Sequence, residues 1–217
     1  MTTSTPLFRA LLPAALAIAG LVPSAAQALE LTELPGVVAS ASGCYLNANC
    51  DASQDWSPAH VIDGLDYDLT GRYSWNAGTW ATASSPQWVR LDFGSTYRLD
   101  NVELRFGYNG RNYAGYTNVY EFRTSTDGAA WTIAANGTLI DSTDPTQLNN
   151  TLAWTAGSGP VARYVEYRVV GGSHWAALGE LNVQGVAAPV PEPSTAAMAL
   201  AGLMMAGLTA RRRMKRG

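Results

Sequence analysis

Lysine is missing from the whole stretch between Leu29 and Val186, which is also poor in cysteine, histidine and long apolar runs. Eight arginines there face sixteen carboxylates, a formal charge of −8. A surface of that sign is repelled by phosphate backbones, which excludes nucleic acid as a partner and suits neutral or cation-bridged ligands. His60 and His174 are the only imidazoles. No pair of carboxylates is marked by a motif as flanking a glycosidic bond, and no nucleophile stands in a recognisable setting beside a base, so the sequence does not read as an enzyme. With only Cys44 and Cys50, a closed four-cysteine zinc site is excluded. The two lie close together in a Gly/Asn-containing loop and read as one local disulfide, a pair of metal-ligating thiolates being the alternative. Helical periodicity is lacking as well, which leaves short strands as the building material.

What is present sorts into three parts, and 217 residues leave room for a single domain with its address labels. Residues 1–28 carry Arg9, an apolar run from Ala10 to Val22, and the small-residue pattern Ala26-Gln27-Ala28. That is the layout of a secretory signal removed by signal peptidase, which places the mature start at Leu29 and makes a disulfide chemically permissible. At the other end Val190-Pro191-Glu192-Pro193-Ser194 precedes sixteen uncharged residues, Thr195 to Ala210, and then Arg211-Arg212-Arg213-Met214-Lys215-Arg216. As a helix the uncharged run would reach roughly 24 Å, a little short of a ~30 Å hydrocarbon core. The basic end would stay cytoplasmic by the positive-inside rule. Residues 187–217 thus read as a sorting tail with a short transmembrane segment, and a plain retained anchor is the alternative. The Pro191-Glu192-Pro193 motif, short helix and basic end resemble the PEP-CTERM sorting signal. The resemblance implies processing by an exosortase after transient inner-membrane insertion, and delivery to the cell surface or extracellular matrix of a Gram-negative bacterium that makes extracellular polysaccharide.

Between them, residues 29–186 alternate in the manner of half-buried strands. Val89, Leu91 and Phe93 share one face against Trp88, Arg90 and Asp92, and Val102, Leu104 and Phe106 alternate with Asn101, Glu103 and Arg105. Tyr120 to Ser125 and Trp131 to Ala134 flank Asp127-Gly128, a hairpin signal. Arg163 to Val170 and Glu180 to Gln184 supply two more strands. Regularly spaced short strands predict an all-β protein, an antiparallel β-sandwich. Four segments occur in order: Trp56-Ser57-Pro58-Ala59-His60-Val61-Ile62-Asp63-Gly64, Pro86-Gln87-Trp88-Val89-Arg90-Leu91-Asp92-Phe93-Gly94, Ser125-Thr126-Asp127-Gly128 with Trp131, and Gly179-Glu180-Leu181-Asn182-Val183. Together they resemble a discoidin, or coagulation factor 5/8 type C, domain. Its fold is the galactose-binding-like jelly roll shared with family 32 carbohydrate-binding modules.

The resemblance implies two sites. A structural Ca2+ is expected where the Asp-Gly loop meets the last strand, with Asp63, Asp66, Asp68, Thr70 and Glu180 as the oxygen donors such a hard cation needs. The loop is two residues longer than the family's. A sugar site is expected at one end of the sandwich, with Trp175 as the stacking aromatic because it stands five residues before Glu180. Around it group Trp75, Asn76, Trp80, Tyr108, Asn109, Arg111 and Asn112, with His174 or Asn76 replacing a family histidine. An indole buries the C–H face of a pyranose while polar side chains fix its hydroxyls. Trp56, Trp88 and Trp131 are assigned to packing. The function that follows is a non-catalytic surface module that binds carbohydrate of an extracellular polysaccharide or biofilm matrix. The alternative is a structural or adhesion protein whose jelly roll binds a protein or lipid.

Overall fold

The computed structural model describes residues 27–47, 49–65, 74–106, 115–140, 149–155 and 157–188. Among these lie ten strands: β1 (Leu29–Glu30), β2 (Val38–Ala41), β3 (Trp75–Trp80), β4 (Gln87–Arg105), β5 (Thr117–Ser125), β6 (Thr132–Ile140), β7 (Asn149–Ala153), β8 (Val161–Gly172), β9 (Trp175–Leu178) and β10 (Glu180–Ala187). A short 3-10 turn, Pro58–Ile62, precedes β3. It starts where the sequence provides a start signal: the Ser57 hydroxyl accepts the Ala59 N–H, and Pro58 brings a preset φ to the first position.

All the described pairings are antiparallel, and the fold is a β-sandwich. The main sheet runs β1-β10-β4-β8-β5-β6, with β2 and β7 also paired to β4. The two alternating segments expected as separate strands are one strand of 19 residues. Its first part pairs with β2 and β8, its last part with β10 and β7, and a register shift separates Asp92 from Tyr97. The residues between remain in the same strand, so the chain passes from one set of partners to the other without a loop. β6 extends to Ile140, well past the expected Ala134, because its Ala, Asn, Gly and Thr residues carry no alternation to read.

The core follows the expected faces. Val89, Leu91, Phe93, Val102, Leu104 and Phe106 are buried, together with Tyr120, Phe122, Val165, Tyr167, Val169, Leu181 and Val183 from the facing strands. Truncating a ring such as Phe122 to alanine would cost about 3–5 kcal/mol through lost burial and the cavity left behind. The Asp127-Gly128 hairpin is present, its Asp127 carboxylate accepting the N–H groups of Ala129 and Ala130 at 2.8 and 2.9 Å. Those bonds hold the carboxyl below its ordinary range.

Two of the tryptophans assigned to packing are not in the core. Trp88 and Trp131 are half-buried on the outward face, where the Arg90 guanidinium lies 4.6 Å and 4.4 Å from their ring centroids. Arg90 and Arg123 also grip Glu166, whose side chain is almost completely covered, at 2.7 and 3.1 Å. The outward residues of β4, β5 and β8 thus cover the sheet with a cation–π and ion-pair layer instead of a second apolar sheet. Trp56 does pack partly against the core.

Cys44 and Cys50 form the expected disulfide. Closing so short a loop stabilises by about 2 kcal/mol on the chain-entropy estimate.

Candidate functional site

β3 and β9 form a separate two-stranded sheet at one end of the sandwich, with Trp75 opposite Leu178, Asn76 opposite Ala177 and Trp80 opposite Trp175. A two-stranded ribbon is marginal alone. This one is held because its Trp75, Ala176, Ala177 and Leu178 enter the common core. Buried Asn118 of β5 adds a direct tie, donating its Nδ2–H to the Ala177 carbonyl at 3.0 Å. The turn into β9 is pinned by the Thr117 N–H on the Ser173 hydroxyl and by the Ser173 N–H on the Thr117 carbonyl. Gly172 is required there: its φ is +142°, and a Cβ would run into the Thr117 carbonyl oxygen.

Trp80 and Trp175 therefore face each other across the ribbon, and Trp80 is 54% exposed. Trp175 is only partly covered, and it belongs to a row of rings. Tyr45 lies 5.0 Å from Trp175 and 6.0 Å from Trp56. On the other side His174 is 5.7 Å from Trp175, 6.2 Å from Trp80, and stacked on Tyr116 at 4.3 Å. Burial lowers the pKa of His174, which favours the neutral imidazole.

Two residues expected to touch ligand do not reach the surface. Trp75 is fully buried, its indole N–H bonded to the Gly43 carbonyl at 2.9 Å. Asn76 is fully buried too. Trp75 and Asn76 are neighbours and point to opposite faces of β3, so both faces are covered at this end of the strand, and a register shift between Asn76 and Trp80 brings Trp80 out. Asn76 acts from beneath instead: its Oδ1 accepts the Gly78 N–H at 2.7 Å and its carbonyl accepts the Tyr45 N–H at 2.7 Å. Gly78, at φ +68°, leaves the gap in which Tyr45 sits, since a Cβ would come within 2.9 Å of the tyrosine ring. Tyr45 was not singled out in the sequence as a site residue. The only signal for Tyr45 was its place beside Cys44, whose disulfide fixes where that loop can lie. Tyr108, Asn109, Arg111 and Asn112 lie outside the described residues, as do Asp66, Asp68, Thr70, Pro191, Glu192 and Pro193.

A second feature joins the Asp63-Gly64 turn to β10. Glu180 is 4% exposed, and its Oε2 is buried without a hydrogen-bond partner. Burial first, and then the charge of Asp63, push its carboxyl up to about 8, against the opposing Gly64 N–H and Arg105. Asp63 accepts the Leu65 N–H at 2.9 Å and meets His60 Nδ1 at 2.8 Å. Among the described residues no three His, Cys, Asp or Glu side chains converge as a metal cage. The orphaned oxygen beside a second carboxylate nevertheless suits a hard cation, and the remaining expected donors fall in the undescribed segment 66–73.

The sandwich with an exposed aromatic end is the architecture of a β-jelly-roll binding module. A family model described as the F5/8 type C domain matches residues 39–181, and the chain belongs to that family. The PEP-CTERM protein-sorting motif matches residues 189–213. Both resemblances read from the sequence are therefore borne out. No curated protein matches the chain. Among solved structures, a Clostridium perfringens family 32 module in complex with GalNAc-β-1,3-galactose is similar at TM-score 0.52 and 19% identity, covering 72% of this chain and 99% of that one. The family 32 module of C. perfringens NanJ in complex with galactose gives 0.50 and 20%, covering 72% and 97%. A C. perfringens family 89 glycoside hydrolase gives 0.52 and 22%, covering 76% of this chain but 16% of that one. At these identities the likeness establishes the jelly-roll fold. No helix of the described residues is long and apolar enough to cross a membrane.

The Glu180 carboxyl makes the fold pH-sensitive in a defined direction. Unfolded, it ionises near 4.5; folded, it keeps its proton to about 8. Its contribution is therefore complete below 4.5 and is lost as pH rises from there to about 8. In a chelating buffer, the melting temperature of the wild type relative to Glu180→Gln is expected to fall across that window. A difference between the two that stays constant with pH would contradict the assignment.

Proposed function

We propose that the domain is a non-catalytic carbohydrate-binding module, exported and displayed at the cell surface, where it holds the glycan of an extracellular polysaccharide or biofilm matrix. The observation that carries this reading is the exposed aromatic row around Trp175, set on a ribbon that the core holds rigid. Partly exposed rings on a fixed scaffold suit the C–H faces of sugars, and the hydroxyls find polar groups in the neighbouring loops. The similar modules from C. perfringens, one in complex with galactose and one with GalNAc-β-1,3-galactose, support the ligand class. Galactose-containing glycans are the first to test.

The reading includes a structural calcium between the Asp63-Gly64 turn and Glu180, with Asp66, Asp68 and Thr70 as further donors. Its support is the orphaned Glu180 oxygen and the nearby Asp63 charge that raises the cost of ionising Glu180. A bound divalent cation would supply the missing positive charge and tie an early loop to the last strand. Calcium is then expected to cancel the pH-dependent loss described for Glu180, read in the same melting experiment.

Docking of a protein partner is the second reading, and the outward Trp88-Arg90-Trp131 stack favours it, since Trp and Arg dominate protein interfaces. The two readings separate on one variant. Trp175→Ala is expected to abolish binding of galactose-containing glycans, measured by calorimetry, while costing under about 1 kcal/mol of stability. Loss of ~3–5 kcal/mol would mark Trp175 as a core residue, and unchanged glycan binding would remove it from the site.

Export and tail processing are tested by intact mass of surface-extracted protein. The expected species begins at Leu29 and lacks Arg211 to Arg216. Retention of the basic end would mean a permanent anchor.

A further inference from the structure

We propose that the outward face of strands β4, β8 and β5 is a second binding site, separate from the Trp175 end, where Arg168 seats the carboxylate of a uronate unit in an acidic glycan chain. The ligand class rests on the carbohydrate reading above, and the affinity for a carboxylate rests on the face itself.

The formal charge of −8 is unevenly spread. Four of the eight arginines between Leu29 and Val186 lie on this face: Arg90, Arg123, Arg163 and Arg168. Their ion-pair partners are three carboxylates, those of Asp92, Glu121 and Glu166. These groups sum to +1 and the remainder of the segment to −9. An acidic chain is repelled by the domain as a whole and attracted to this side of it.

The antiparallel register places Arg168 between Trp88 of β4 and Glu121 of β5, and Glu166 between Arg90 and Arg123 in the next row. Glu166 meets Arg90 at 2.7 Å and Arg123 at 3.1 Å, but Arg168 only at 3.9 Å. The other carboxylate near Arg168, Glu121, is 4.0 Å away. Arg163 stands apart, its Nε and Nη2 donating to Asp92 at 2.8 and 2.9 Å. Three arginines thus share two carboxylates, and Arg168 is the most weakly held of the three. The Nε–H groups of Arg90, Arg123 and Arg168 are buried without an acceptor. Guanidinium groups donate and never accept, so this layer is short of acceptor oxygens and carries an excess positive charge in half-buried surroundings. A ligand carboxylate supplies both the oxygens and the opposite charge, and its shape matches the planar fork of an arginine.

Arg168 can be reached from solvent, its side chain being 29% exposed, whereas Arg90 is held between the Trp88 and Trp131 rings. The next outward position of β5 is Val119, 41% exposed and opposite Gly171, which adds no side chain of its own. Val119 and the half-buried Trp88 flank the guanidinium with apolar surface for the C–H groups of a sugar ring. A neutral sugar has no charge to place on Arg168, so the site selects for uronate.

The test is calorimetric titration of the purified exported protein with galacturonate and galactose tetrasaccharides, without added divalent cations. Wild type is expected to bind both, with saturating galactose tetrasaccharide failing to displace the galacturonate chain, and with only galacturonate affinity falling as salt is raised. Arg168→Gln should weaken galacturonate binding about tenfold and leave galactose binding unchanged. Glu121→Gln should strengthen galacturonate binding about threefold, because it removes the carboxylate that competes for Arg168. Opposite shifts in the two variants are not what damage to the fold would produce. Displacement by galactose, or galacturonate binding indifferent to both substitutions, overturns the second site and leaves the Trp175 site standing, as does galactose binding without galacturonate binding. Binding of polyglutamate, but not of galacturonate, with the same dependence on Arg168 would assign the face to an acidic protein and overturn the glycan site. If the wild type binds neither tetrasaccharide, the carbohydrate reading fails and the uronate site falls with it.

Discussion

The backbone pairing of Gln87–Arg105 holds both layers of the sandwich at once, since this strand bonds to β2 and β8 over its first part and to β10 and β7 over its last. Its inward residues, Val89 to Leu104, form the centre of the core. Everything at the ligand end is referred to that frame. β10 brings Glu180 to the strand's last residue, Arg105. β8 leads through the Gly172 turn into β9, and β9 carries Trp175. Antiparallel pairing fixes each register by alternation, because a one-residue slip would turn a buried face to water. The aromatic row is rigid because the residues next to it are core.

The strands with strict alternation were legible from the sequence, since period two is a direct consequence of the pleat. Val89, Leu91 and Phe93, and Val102, Leu104 and Phe106, were assigned to the correct face. The continuity of β4 was not legible, because residues 94–100 carry no clean pattern and owe their extension to neighbours distant in sequence. β6 was cut short for the same reason. Sequence reasoning placed Trp175, Trp80 and His174 at this end but added Trp75 and Asn76, which sit on the same strand as Trp80 and are both buried. The bulge that separates them leaves only Gly78 as a trace. Tyr45 and Tyr116 join the row through tertiary packing, which no local pattern announces.

Six of the seven tryptophans illustrate how one residue type serves distinct purposes. Trp75 is core, with its N–H satisfied by a carbonyl. Trp88 and Trp131 enclose Arg90 on the outer face, where the ring faces are occupied by a guanidinium and by neighbouring side chains. Trp80, Trp175 and Trp56 lie at the β3-β9 end, among rings and an imidazole. Acidity is divided in a similar way. Glu166 is paired with arginines, while Glu180 lies buried beside Asp63, where its carboxyl holds its proton. Residues 175–180 carry the partly covered Trp175 at one end and the buried Glu180 carboxylate at the other.

That glycan docks on the row at Trp175 is tested most directly by following the indole N–H resonances of ¹⁵N-labelled protein during titration with a β-1,4-linked galactose tetrasaccharide. The Trp175 and Trp80 signals are predicted to move progressively, with Trp56 following at the far end of the row. The Trp75 signal, sealed against Gly43, should stay where it is. Movement of Trp88 and Trp131 with Trp175 unaffected would contradict the assignment and place the ligand on the outer face of the sheet.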